Sequence, residues 1–219
     1  RDDFSRQYSA QVNSYLVTLG AQWEQPLSRK DNLTLGVTVG LGHKLGSSYT
    51  IQNGDSTVYD ASDVLRVPMT YGVGLGWTHG TKWFVGADVV MQKWGSVDFP
   101  GAIQSGANTV YALRSGMLKD SYKVNVGADY VPNDMSRNLL SRVHYRFGVC
   151  YTTPYYYING KEGPKETSVS AGFGIPLQNS YNNRSILNIS AQWGHSMGCD
   201  LIKENMFRIN IGLTFNERW

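Results

Sequence analysis

Six ionisable residues in the middle of this 219-residue chain fall where an extended strand would set them on one face. Asp88 stands alone in an apolar stretch, Lys123 and Asp129 follow, and Arg142, His144 and Arg146 recur at every second position. Every-second-residue spacing keeps side chains on one side of a strand. Antiparallel neighbours would then bring Asp129 toward Arg142 or His144 and set Asp88 within two strands of Arg146. Such a set supports two chemistries. A ladder of salt bridges would neutralise charges in a narrow interior, where an unpaired ion is costly. Alternatively, Lys123 or Arg146 would meet a ligand carboxylate, the guanidinium through paired hydrogen bonds. Apolar cargo would then rest on Leu16, Phe84 and Val90, which share that face.

Other chemistries find weaker footing. His43, His195 and Asp200 sit at loop positions, but no motif with mechanistic spacing surrounds them, so no enzyme is expected. No strand face carries His, Cys or carboxylates at metal-ligand spacing. The acidic segment Asn53-Gly54-Asp55 with Asp60 and Asp63 lacks the ordered ligand pattern of a calcium loop and reads as a solvated surface. Gly72, Gly74 and Gly76 continue in strand period with no helix after them, which excludes a phosphate loop. Neither metal nor organic cofactor is expected. Cys150 and Cys199 would lie two strand spacings apart, as free thiols or as a bridge in an oxidising compartment. A net charge of +3 is too small to point to nucleic acid.

The elements that position these residues are strands. Nine segments of about ten residues alternate bulky apolar residues with small or polar ones, as in Leu33, Leu35, Val37, Val39 and Leu41 against Thr34, Gly36, Thr38 and Gly40. The strands read as 11–24, 33–42, 67–78, 83–93, 121–131, 142–152, 167–176, 185–194 and 206–216. One face is Val, Leu, Ile and aromatics; the other is Gly, Thr, Ser and Asn with the charges above. That alternation is expected of an antiparallel transmembrane β-barrel, apolar toward lipid and polar toward the lumen. Mean hydropathy is −0.33 and no apolar run nears the roughly 18 residues of a membrane helix. The 24 Gly, 14 Tyr and 6 Trp suit curved walls and aromatic girdles. Residues 1–219 thus read as a single all-β domain.

Connection lengths alternate. Those at 43–66, 94–120 and 153–166 are long, while 25–32, 79–82, 132–141 and 177–184 are turn-like. Short connections face the periplasm and long loops the exterior, so the alternation orients every strand. Trp23, Trp77, Trp83, Tyr130 and Phe215 then fall at one rim, and Tyr15, Tyr122, Tyr151, Trp193 and Phe207 at the other. The expected location is the outer membrane of a Gram-negative bacterium, with lipid as the surrounding partner. Single-chain barrels of such bacteria have even strand numbers. Nine strands therefore predict a C-terminal portion of a larger barrel, with the first and ninth strands not paired to each other.

The stretch Tyr122 to Tyr130 with Val131-Pro132-Asn133, followed by Ser141-Arg142-Val143-His144-Tyr145-Arg146-Phe147-Gly148, resembles the FadL-type outer-membrane transporters. In that family a strand ending GxxYxP turns into an R-x-G strand. Ser170-Ala171-Gly172-Phe173-Gly174-Ile175-Pro176-Leu177 resembles the family's S-x-G-x-G-x-P strand, and Phe207 to Asn216 its closing strand. The resemblance implies a fourteen-stranded barrel, an N-terminal hatch outside this chain, and passive uptake of hydrophobic small molecules such as long-chain fatty acids. Some barrels of that superfamily are instead non-transporting adaptors, including a type IX secretion shuttle, and recognise protein partners through long outer loops. The loops 43–66 and 94–120 are long enough for that alternative.

Overall fold

A computed structural model describes residues 6–53, 56–62, 64–105, 108–158, 160–178, 184–198 and 203–214. Its framework is one antiparallel sheet of nine strands: β1 (Thr18–Pro26), β2 (Asp31–Gly40), β3 (Thr70–His79), β4 (Trp83–Gln92), β5 (Ser121–Tyr130), β6 (His144–Thr152), β7 (Lys165–Gln178), β8 (Arg184–Met197) and β9 (Glu204–Thr214). Each strand pairs with the next in sequence. Among the described residues helix is almost absent, the one α-helical turn being α1 (Leu139–Arg142). No helix among the described residues is long and apolar enough to cross a membrane.

Register carries the alternation of one strand across the whole sheet. Trp23, Leu35, Leu75, Ala87, Val126, Val149, Val169, Trp193 and Phe207 stand opposite one another in turn, an unbroken apolar row over nine strands. One residue along, on the other face, runs Glu24, Thr34, Gly76, Gly86, Gly127, Gly148, Ser170, Gln192 and Arg208. A one-residue slip anywhere would exchange the two rows, so the pattern fixes the register.

Burial is inverted relative to a water-soluble sheet. Among the described residues, the buried positions on these strands are Gly40, Gly72, Gly172, Gly174, Gly194 and Ser121. The bulky residues of the apolar face are exposed or half-exposed, with Val73 at 60%, Phe147 at 62% and Ile211 at 73%. The buried apolar side chains Ile51, Val64, Val97, Val131 and Val143 lie in the connections instead. An aromatic belt runs along the short-turn end. Trp83 lies 4.3 Å from Tyr130, Tyr130 lies 6.4 Å from Tyr145, and Tyr145 meets Phe173 edge-on at 5.8 Å.

At that end the connections are tight: Gly80 adopts φ 55° between β3 and β4, and Asn138 caps α1 by accepting from the Leu140 N–H. At the other end the three long connections build structure of their own. Gly46–Asn53 and Ser56–Ser62 form a hairpin, as do Phe99–Ser105 with Asn108–Arg114, and Tyr157–Ile158 with Lys161–Glu162.

The expected first strand, 11–24, is divided. Arg6–Asn13 pairs with Gly46–Asn53, off the main sheet, and β1 starts only at Thr18. The two pieces share one alternating pattern, and alternation alone does not say which neighbour a strand takes. Leu16 falls in the break, 67% exposed, and so does not line the sheet's polar face as expected. Arg142 is likewise not on the sixth strand; it ends α1, with its Nε buried and without a hydrogen-bond partner among the described residues. The two edge strands, β1 and β9, are not hydrogen-bonded to each other, as expected.

Two glycines test this packing. A Cβ at Gly42 would lie 2.7 Å from the Met69 nitrogen and 2.8 Å from the Val67 oxygen, backbone atoms that cannot swing aside, whereas one at Gly36 meets nothing within 4 Å. Gly42→Ala should therefore destabilise by about 1–3 kcal/mol and Gly36→Ala by less than about 0.5 kcal/mol. Urea midpoints of the refolded protein in detergent would check the contrast.

Candidate functional site

The polar face forms a concavity of about 800 Å³, floored by glycines and walled by residues such as Gln22, Thr34, Asp88, Asn125 and Gln192. Near its short-turn end the predicted charges meet. Asp129 and Arg146 are register partners on β5 and β6, and the Arg146 Nε donates to the Asp129 carboxylate at 3.0 Å. His144 Nδ1 lies 3.0 and 3.1 Å from the two oxygens of the same carboxylate. The Arg146 Nη1 donates to Asn188 Oδ1 at 2.7 Å, and the Asn188 amide donates to Thr214 Oγ1 at 3.2 Å. The network thus spans from β5 to β9.

Glycine makes the long reach possible. Arg146 and Asn188 are separated by β7, and a Cβ on Gly174 of that strand would lie 3.3 Å from Asn188 Oδ1 and 3.4 Å from Arg146 Cζ. The missing side chain leaves the channel through which the guanidinium crosses. Asn188 and Thr214 were not among the residues predicted from sequence. The legible signal was a Gly-x-Gly pair on β7 beside two cationic positions on β6.

The remaining predicted residues stay apart from this network. Asp88 accepts a hydrogen bond from the Asn125 amide at 2.7 Å. Lys123 is exposed and makes no ion pair among the described residues. Phe84 lays its ring over Gly76 and Gly86, 3.4 and 3.2 Å from where their Cβ atoms would be. Val90 lies on the same face beside Gly72, six residues and about 20 Å along the strand from Phe84. Phe84, Val90 and Leu16 are therefore not brought into one apolar track.

The loop residues resolve separately. His43 stacks on Tyr15 at 4.3 Å; His195 is not in a loop but on β8, which runs past residue 194, and its Nδ1 lies 2.8 Å from Oδ1 of its register partner Asn205. Asp200 and Cys199 lie outside the described residues, as do Gly54, Asp55 and Asp63 and the side chain of Asp60. Cys150 is a free thiol on the polar face, 3.8 Å from Thr152 Oγ1.

The connection between β4 and β5 is tied end to end and also to the next long connection. The Asp120 carboxylate accepts from Lys93 Nζ at 2.5 Å and from the Gly95 N–H at 2.9 Å. The Lys93 hydrogen bond holds the Asp120 carboxyl below the usual carboxylate range, and Asp120 in turn raises Lys93. Lys119 forms an ion pair with Glu162 of the next connection.

A family model described as BamG matches residues 2–219. The chain belongs to the BamG family. This overturns the FadL resemblance. The motifs that carried it, Tyr-x-Pro at a strand end and alternating Gly-x-Gly within a strand, answer to turn and strand geometry and do not by themselves mark a family. The strand number of fourteen rested on that resemblance alone and goes with it. No curated protein matches the chain.

The network reads as structural, and that reading is testable. Arg146→Ala removes two charge-assisted bonds of a partly exposed group and should destabilise by about 1 kcal/mol. Lys123→Ala, which breaks no ion pair, should stay within about 0.5 kcal/mol. Thermal unfolding in detergent separates the two, and equal losses would show that Lys123 shares the load.

Proposed function

We propose that the nine-stranded sheet is the wall of an outer-membrane β-barrel, with the apolar row toward lipid and the polar face toward the lumen. The observation that carries this reading is the row from Trp23 to Phe207. An apolar face that wide, in register across every strand and exposed throughout, is a surface only lipid or another apolar layer would cover. In hydrocarbon, unpaired backbone groups cost several kcal/mol each, so in a membrane the edges of β1 and β9 would need strand partners.

The protein then acts through protein contacts at its long loops, in the assembly of other outer-membrane proteins, a role that the family's name suggests. Two features favour this over passive uptake of hydrophobic molecules. The polar face is floored with glycine and crossed by an ion network, and its apolar residues are scattered. The long connections carry hairpins of their own; Lys93–Asp120 ties the two ends of one of them, and Lys119–Glu162 joins it to the next, which gives a partner a fixed surface.

Depletion of the protein in its native cell discriminates the two activities. The assembly role predicts that the folded, heat-modifiable fraction of other outer-membrane barrels falls while uptake of radiolabelled oleate is unchanged. Loss of oleate uptake with the other barrels intact would establish the transport role instead.

A further inference from the structure

The three long connections converge on a cleft of about 460 Å³, within the range that holds a ligand or a few large side chains. Trp94 and Met117 come from the connection between β4 and β5, Tyr155 and Tyr157 from that between β6 and β7, and Leu65 and Arg66 from that between β2 and β3. Its lining is apolar and aromatic, and its frame is fixed.

Several bonds set the rings in place. The Lys93 N–H donates to the Met69 carbonyl at 2.9 Å and the Gly95 N–H to Asp120 at 2.9 Å, which holds the backbone on both sides of Trp94, and the indole N–H donates to Gln92 Oε1 at 3.0 Å. The Trp94 ring stacks on Tyr155 at 4.7 Å, and Tyr155 meets Tyr156 edge-on at 5.2 Å. The Tyr155 carbonyl accepts from the Lys119 N–H at 2.8 Å and the Tyr156 carbonyl from the Gly163 N–H at 3.0 Å, while Leu118 bridges to Tyr156. A Cβ at Gly163 would lie 2.8 Å from the Tyr156 ring, so a larger residue there would displace it. With their backbones so held, Met117, Tyr155 and Tyr157 remain 38%, 41% and 44% exposed.

Charge completes the description. Arg66 lines the cleft, is exposed, and makes no ion pair among the described residues. Arg114 is also exposed without an ion pair among them, and its side chain and the Met117 thioether both lie against Gly101. Lys93 and Lys119, by contrast, are neutralised by Asp120 and Glu162. Aromatic rings, methionine and arginine are the side chains enriched where proteins bind proteins, the rings because they present large contact area at little entropic cost.

We propose that this cleft docks an extended segment of a partner protein, one that offers a large apolar side chain to the Trp94–Tyr155 stack and carboxylates to Arg66 and Arg114. The proposal rests on the reading that the protein works through its loops, and goes beyond it in naming the site and the chemistry of the segment.

The test uses the full-length protein in nanodiscs and two fluorescein-labelled octapeptides, one alternating Glu with Leu and Phe, the other with Lys in place of every Glu. Anisotropy should show the acidic peptide binding at least tenfold tighter than the basic one. Tyr155→Ser should weaken it at least tenfold, and Arg66→Glu, a surface change that leaves the frame intact, should reverse the charge preference. An equal response to both peptides, no effect of Arg66→Glu, or acidic-peptide binding that oleate abolishes would each overturn the proposal. Those results leave the depletion phenotype of the assembly role untouched, so the two readings fail separately.

Discussion

An apolar surface crossing nine strands is the constraint on which the rest of this molecule depends. Bulky residues that would form a core in water stand outward, while glycine and serine take the buried strand positions. The hydrophobic effect is proportional to apolar area removed from water, and this sheet removes little of it by itself. Its stability must come from the medium that covers the apolar face and from backbone pairing between neighbouring strands. That is why register matters so much here: a slip of one residue in any strand would set glycine and threonine against that medium and valine against the polar face.

The same constraint shapes the polar face. Glycines opposite one another on β3, β4, β5 and β6 let neighbouring side chains lie flat, so Phe84 covers two of them and the Arg146 guanidinium crosses a third strand at Gly174. Charges placed in that confined space are satisfied laterally, across strands. Asp129 serves both Arg146 and His144, and Asn188 relays to Thr214. Arg146 is engaged on both sides, by Asp129 and Asn188, whereas Lys123, the other cation considered for a ligand carboxylate, makes no ion pair among the described residues.

Much of the sheet was legible because a period of two is a property of each strand alone. The eight strands after the first match their predicted positions to within a few residues, and the approach of Asp129 to His144 followed from alternation and adjacency, while its pairing with Arg146 in place of Arg142 did not. What was illegible depended on a choice of neighbour. Residues 6–13 continue the alternation into β1 yet pair with Gly46–Asn53, which moved Leu16 off the polar face. Arg142 shares the every-second-residue spacing with His144 but is drawn into α1 by the Asn138 cap. Asn188 lies two strands from Arg146, and only the absent side chain of Gly174 joins them. Family resemblance failed for a related reason: strand alternation with Gly, Tyr and Pro records the wall and says little about which family built it.

The central claim is that the row from Trp23 to Phe207 faces lipid. Site-directed spin labels on a cysteine-free background, at Val73, Val126 and Ile211 on one face and Gly74, Asn125 and Gly212 on the other, test it in reconstituted membranes. The account predicts that the first three relax with dissolved oxygen and are shielded from a water-soluble nickel chelate, and that the second three behave oppositely. Equal access of the nickel chelate to both faces would contradict it.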